Sequence, residues 1–116
     1  MKDNLLKSHR RLEHILEAIE CIERFSEKED LDSFRKNEIL NNAVLLQFII
    51  IGEAINHIPA KILEKHDYPW YKVRSFRNLI AHEYFNIKLS AVWVVIKKDL
   101  PVLKAKITEI LKKEFQ

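Results

Sequence analysis

The 116-residue sequence predicts an all-α fold, a compact up-and-down bundle of four to five helices, from three observations. Apolar residues recur at steps of three, four and seven along most of the chain, the period of a helix with one buried face. The single glycine, Gly52, leaves almost no residue at ease with positive φ, which argues against hairpins and glycine-cradled phosphates. With 47% hydrophobic and 32% charged residues, the chain can bury an apolar stripe and solvate the rest, so disorder is excluded. Its length suits one domain spanning residues 1–116.

Leu5, Leu12, Ile15, Leu16, Ile19, Ile22 and Phe25 share one face of a helix over about residues 3–26, with Cys21 beside the stripe as a small core hydrophobe. After the polar run Ser26 to Asp30, a second helical region covers about 32–58. It carries Leu40, Val44, Leu45, Phe48, Ile51, Ile55 and Ile58, and is expected to be central and most buried. Pro59 ends it or starts a short helix to about His66. In Asp67-Tyr68-Pro69-Trp70 the proline disfavours helix at Tyr68 and permits a new one just beyond, over about 70–84. Asn86 can close that helix, because asparagine tolerates the left-handed cap conformation. The last helix starts near Ser90 as N-cap, buries Val92, Trp93, Ile96, Leu100, Leu103, Ile107, Ile110 and Leu111, and meets a kink at Pro101.

Several function classes fall away. One cysteine rules out an internal disulfide framework and fits a reducing compartment, with the cytoplasm as default. The charged N-terminal fifteen residues are unlike a signal peptide. The most apolar window, Ala43 to Ile51, is about half the length of a membrane helix, so no membrane partner is expected. His82-Glu83 begins like the zinc-protease motif, yet position 86 is Asn, and Glu53 with His57 lacks a third ligand. Neither a metal nor a cofactor is expected, and His9, His14 and His66 have no evident partners. The formal charge of +3 is only mildly favourable to an anionic partner.

The informative segment runs from Arg74 to Tyr84. On an ideal helix with Arg77 at zero, Tyr84 falls near 340°, Ala81 near 40°, Asn78 near 100° and His82 near 140°, while Val73, Phe76, Leu79 and Ile80 cluster between about 200° and 320°. The apolar group would face the core and leave Arg77, Asn78, His82 and Tyr84 outward. Taken singly, each has an ordinary account: His82 complements the helix macrodipole, Arg77 is a solvated cation, and Tyr84 is an amphipathic rim residue. Their joint placement opposite a clean apolar stripe is what singles them out. Arg77 and His82 diverge on one helix, but a two-fold axis near the small Ala81 would gather both pairs in one basic cleft. Such a cleft suits phosphate chemistry, since arginine binds phosphoryl oxygens in a fork and histidine exchanges protons near neutral pH. Lys72 and Arg74 are candidate contacts to a nucleic-acid backbone, and Tyr71 could stack on a base. Glu53 is placed to orient Arg77 or Arg74.

Arg77-Asn78-Leu79-Ile80-Ala81-His82-Glu83-Tyr84 resembles the Arg, four residues, His, one residue, Tyr signature of HepT-like proteins, which are HEPN-domain ribonuclease toxins. The likeness extends through Leu16-Glu17-Ala18-Ile19, Ile50-Ile51-Gly52-Glu53-Ala54, Tyr68-Pro69-Trp70, Val92-Trp93 and Asp99-Leu100-Pro101. It implies a HEPN-like, all-helical two-fold homodimer whose paired Arg77 and His82 form a metal-independent RNA-cleaving site, with Asn78 in support. It also implies a minimal nucleotidyltransferase antitoxin, MntA-like, that neutralises the toxin by transferring AMP from ATP to Tyr84. Asn86 and Lys88 depart from the family pattern, where glycine and an acidic residue are common, and these departures concern capping more than catalysis. The competing reading is a noncatalytic helical dimer that docks a nucleotidyltransferase and binds nucleotide.

Overall fold

The structure is a computed structural model that describes residues 2–115. Helix α1 (Lys2–Ser26) leads to the short α2 (Leu31–Lys36), the long α3 (Glu38–Asn56) and a single turn, α4 (Ala60–Leu63). Then follow α5 (Trp70–His82), α6 (Leu89–Val94), a π-helical turn (Val95–Asp99) and α7 (Leu100–Glu114). No strand occurs among the described residues, and the all-helical expectation holds.

Helix α3 lies between α1 and α5, and α1 also packs along α7. Their shared seam is built from Leu12, Ile15, Ile19 and Ile22 of α1, Val44, Leu45, Ile51 and Ile55 of α3, Ile80 of α5, and Ile107 and Ile110 of α7, all almost fully buried. Helix α3 is long and apolar enough to cross a bilayer by composition alone, and 44% of that span is buried inside the fold. Leu5 and Phe25, counted on the first stripe, are exposed, and Cys21 is only half-buried, beneath Arg24.

The second helical region is broken where a continuous helix was expected. Asn37 adopts extended backbone, and its side-chain oxygen accepts from the Leu40 amide at 3.0 Å, so it caps α3 instead of continuing α2. Buried Asn41 then donates to the carbonyls of Phe34 and Arg35, which satisfies the exposed end of α2. The start of α2 is secured by a reciprocal capping box between Asp30 and Ser33. Phe34, fully buried, packs on Trp93 and so ties α2 to α6.

The remaining corrections concern single residues. Lys88, not Ser90, stands at the N-cap of α6, and no side chain caps that end. Pro101 does not simply kink the helix. With no N–H to give, it follows a widened turn in which the Leu100 amide reaches back five residues to the Val95 carbonyl. His66, assigned no partner from sequence, is buried against α7, with Nε2 3.2 Å from Glu114 and Nδ1 3.6 Å from Glu109. His9 likewise has partners, in Glu13 and the ring of Phe115.

Candidate functional site

The helix that carries the signature residues is fixed at its first residue. Trp70 is buried, packs its ring at a tilt against Tyr68, and its indole N–H donates to the carbonyls of Leu63 and His66 at 3.0 and 3.2 Å. The Leu63 carbonyl also accepts from the His66 amide, so the indole joins the turn that follows α4 to the start of α5. From there α5 runs antiparallel to α3. Phe76 meets Phe48 edge to face at 4.9 Å, and Ile80 is sealed in the core.

The antiparallel pairing creates a polar ladder along the α3–α5 seam. Arg74 Nε donates to Asn56 at 3.1 Å; Arg77 pairs with Glu53; Tyr84 donates its hydroxyl to Asn42 Oδ1 at 2.6 Å. The middle rung explains the lone glycine. A Cβ added at Gly52 would collide with Arg77 Cβ and lie 2.6 Å from its Cγ, so the root of the Arg77 side chain rests on the bare backbone of α3. No glycine or other described residue has positive φ, and Gly52 therefore serves close approach, not a turn. Arg77 Nη1 also donates to Asn78 Oδ1 at 3.3 Å, while its buried Nε has no partner among the described residues.

This geometry corrects the helical projection in three respects. Arg77 is half-buried in the α3–α5 groove and is not part of a freely solvated sector. Leu79, assigned to the core, is 47% exposed. Helix α5 ends at His82, so Tyr84 sits in the turn 83–86 and reaches α3 from there. Asn86 closes that turn by donating its amide to Glu83, without the left-handed conformation expected of it.

Asn78, Ala81 and His82 do remain exposed on the outer side of α5. His82 makes no hydrogen bond or ion pair among the described residues, which leaves both ring nitrogens available. Apolar residues surround this polar set: Leu79 on α5, and Leu46 and Ile50 on α3, which are 55% and 37% exposed. Phe85, next to Tyr84, is 95% exposed and meets its ring edge to face. Lys72 is exposed on the first turn of α5, and Arg74 is held by Asn56. The ladder thus brings together Glu53, Arg77, Asn78 and, further along the seam, Tyr84. His82 is exposed on the outer side of α5, turned away from the Arg77 rung, and Lys72 stands apart on another side of the helix. Among the described residues no three His, Cys, Asp or Glu side chains are grouped to hold a metal ion.

Sequence reading missed Asn42 and Asn56. Their signal was available: two of the three asparagines on the apolar α3, whose numbers pair with Tyr84 and Arg74 at an almost constant sum once an antiparallel hairpin is assumed.

The family described as Ribonuclease HepT-like matches residues 15–110. The chain is 39% identical over 101 residues to the "Gamma-glutamylcyclotransferase and putative RNase" of Methanocaldococcus jannaschii, a match covering 86% of this chain and 46% of that protein. It therefore spans about half the length of this relative. Two shorter relatives are covered almost completely. The "Putative RNase" of Caldanaerobacter subterraneus subsp. tengcongensis is 35% identical over 104 residues, covering 89% of this chain and 93% of that one. The "Probable ribonuclease HepT" of Thermococcus cleftensis is 34% identical over 102 residues, covering 87% and 93%. No solved structure matches the chain.

Proposed function

The chain belongs to the HepT-like ribonuclease family, and from that premise we propose that it is a metal-independent endoribonuclease acting as a homodimer, with Arg77 and His82 as its catalytic residues. The observation that carries this reading is the seat of Arg77 on Gly52, which fixes a guanidinium on the same helix that leaves His82 free on its outer side.

In this mechanism His82 accepts the proton of an RNA 2′-hydroxyl as its oxygen attacks the adjacent phosphorus. The bond to the 5′-oxygen breaks, and a protonated histidine, its own or the partner copy's, returns a proton to the leaving oxygen. The products are a 2′,3′-cyclic phosphate and a 5′-hydroxyl. Arg77 stabilises the added negative charge of the transition state, and Asn78 and Glu53 hold its fork in orientation. Within one chain Arg77 and His82 lie on different sides of α5. A two-fold contact across Ala81, with Leu46, Ile50 and Leu79 supplying buried apolar area, brings one chain's histidine toward the other's arginine. Lys72 and Arg74 contribute phosphate contacts.

Control follows from Tyr84. A minimal nucleotidyltransferase antitoxin, MntA-like, transfers AMP to it: the phenolic oxygen attacks the α-phosphorus of ATP, pyrophosphate leaves and the phenolic proton is released. The ester adds a phosphate charge on the same seam as Arg77 and blocks the RNA cleft. The test is cleavage of cellular RNA in EDTA by the wild type, by His82→Ala and by Arg77→Lys, with helicity and sedimentation checked. Loss of activity of about 10²-fold or more in folded, dimeric His82→Ala supports the reading; equal cleavage by all three, or by none, replaces it with the noncatalytic docking dimer.

A further inference from the structure

A cavity of about 360 Å³ opens on the side of α5 away from His82, between α3, α5 and the start of α7. Its walls are apolar and include Phe48, Phe76, Val95 and Leu103, and its other lining residues include Tyr68, Lys72 and Asp99. The space exists for a physical reason. Pro101 has no N–H to donate, the preceding turn is widened, and Val95 and Asp99 at the two ends of that π turn both line the cavity. Widened turns of this kind recur at functional sites.

The polar groups are the informative part. The Tyr68 hydroxyl, the Lys72 ammonium and the Asp99 carboxylate make no hydrogen bond or ion pair among the described residues. Burial, with the charge of Asp99 added, pushes the Tyr68 hydroxyl above its ordinary range, so it remains a neutral donor. Lys72 and Asp99 are exposed at the cavity's rim and Tyr68 is half-buried, so a purely apolar occupant would give these groups nothing in exchange for the water it displaced. A single cation would answer Asp99 but oppose Lys72. What complements them is a flat apolar ring with an N–H donor for the carboxylate and an anionic group for the lysine.

We propose that this cavity is a nucleobase slot, taking a base with an exocyclic amine, adenine, cytosine or guanine, whose amine donates to Asp99 and whose phosphate meets Lys72. Val73, one turn before Arg77, and Phe76, the residue before it, line the slot, so a strand engaged at Arg77 has a base-reading position on the same helix. The proposal rests on the ribonuclease reading only for the source of the base, RNA or a free mononucleotide; the slot itself stands on the cavity and its unanswered polar groups.

The test is isothermal titration of the full chain with AMP, CMP, GMP and UMP, with a short RNA as competitor. Uracil lacks the amine and has only its ring N3–H to offer the carboxylate. The expected result is binding of at least one amine-bearing mononucleotide roughly tenfold tighter than UMP. Asp99→Asn, which loses the charge but keeps an acceptor oxygen, should shrink that difference. It leaves helix capping intact, because Asp99 makes no side-chain cap bond. Val102→Phe, at an exposed lining position, should weaken all the mononucleotides without disturbing the core. Displacement by RNA identifies the strand as the source of the base, and binding of mononucleotides unaffected by RNA identifies a free nucleotide. Absence of heat with all four at millimolar concentration, or equal affinity for UMP that Asp99→Asn leaves unchanged, overturns the slot. Because binding is read without turnover, a negative result here is distinct from loss of cleavage in His82→Ala.

Discussion

Gly52→Ala separates close approach from ordinary helix propensity. Gly52 lies inside α3, where glycine costs about 1 kcal/mol relative to alanine, so a solvent-facing replacement would stabilise the protein by roughly that amount. Here the added methyl meets Arg77 Cβ and Cγ, the latter at 2.6 Å, whereas unstrained carbon contacts need about 3.5–4.0 Å. The obstructing atoms are the root of a side chain and cannot swing away, so α3 and α5 must part by on the order of 1 Å, which loosens Phe48 against Phe76 and the seat of Ile80. Overpacking of this kind costs about 1–3 kcal/mol, which exceeds the propensity gain and predicts a net loss of about 1 kcal/mol. Urea unfolding followed by circular dichroism measures this directly, since the reversed sign is well outside fitting error. Displacement of Arg77 by about 1 Å should also lower RNA cleavage by up to about 10²-fold. A Gly52→Ala protein stabilised by about 1 kcal/mol, with cleavage intact, would refute the contact as the reason for the glycine.

Other substitutions test the remaining contacts. Asn37→Ala, which removes the α3 cap, should cost about 1 kcal/mol in the same unfolding experiment. Glu114 is held below the usual carboxyl range, first by its hydrogen bond to His66 and then by Lys65. Its stabilising contribution is therefore complete above the unfolded carboxyl range and is lost as pH falls through the lower folded value. Glu114→Gln should lower the melting temperature at neutral pH and flatten that acid limb; an unchanged acid limb in a pH series of melts would contradict this. Asn42→Ala and Tyr84→Phe each delete the 2.6 Å bond and should speed amide hydrogen exchange in the turn 83–86 to the same extent, with exchange in α5 upstream of its last turn unchanged.

The helices of this protein were legible because their apolar spacing is a local property. The stripes of α1, α3 and α7 appear in sequence as they do in space, apart from Leu5 and Phe25 near the ends of α1. What was not legible depends on partners far along the chain. Asn37 reads as one polar residue in a helical run until Asn41 is seen beneath the end of α2. Leu79 and Arg77 were exchanged between core and surface, because a uniform projection does not show that Gly52, twenty-five positions earlier, offers a space that draws the arginine inward. The carboxylates beside His66 lie on another helix, which no spacing rule connects to it. The signature residues themselves were identified from sequence; their arrangement as rungs across two helices was not.

The widened turn at Val95–Asp99 gives the last helix slack. It accommodates one residue more than a uniform coil would hold over the same rise, so the phases on either side stay matched. Excising Lys97 or Lys98 should therefore close the helix into a regular coil and leave Leu103, Ile107 and Ile110 in their places, where the same excision elsewhere would swing them about 100° out of register. That tolerance has one condition. In a regular coil the ring of Pro101 would strike the carbonyl four residues behind it, so the shortened chain should fold well only when the proline is replaced as well. Length and residue identity at this point are thus coupled, and a homologous chain one residue shorter here is expected to lack the proline.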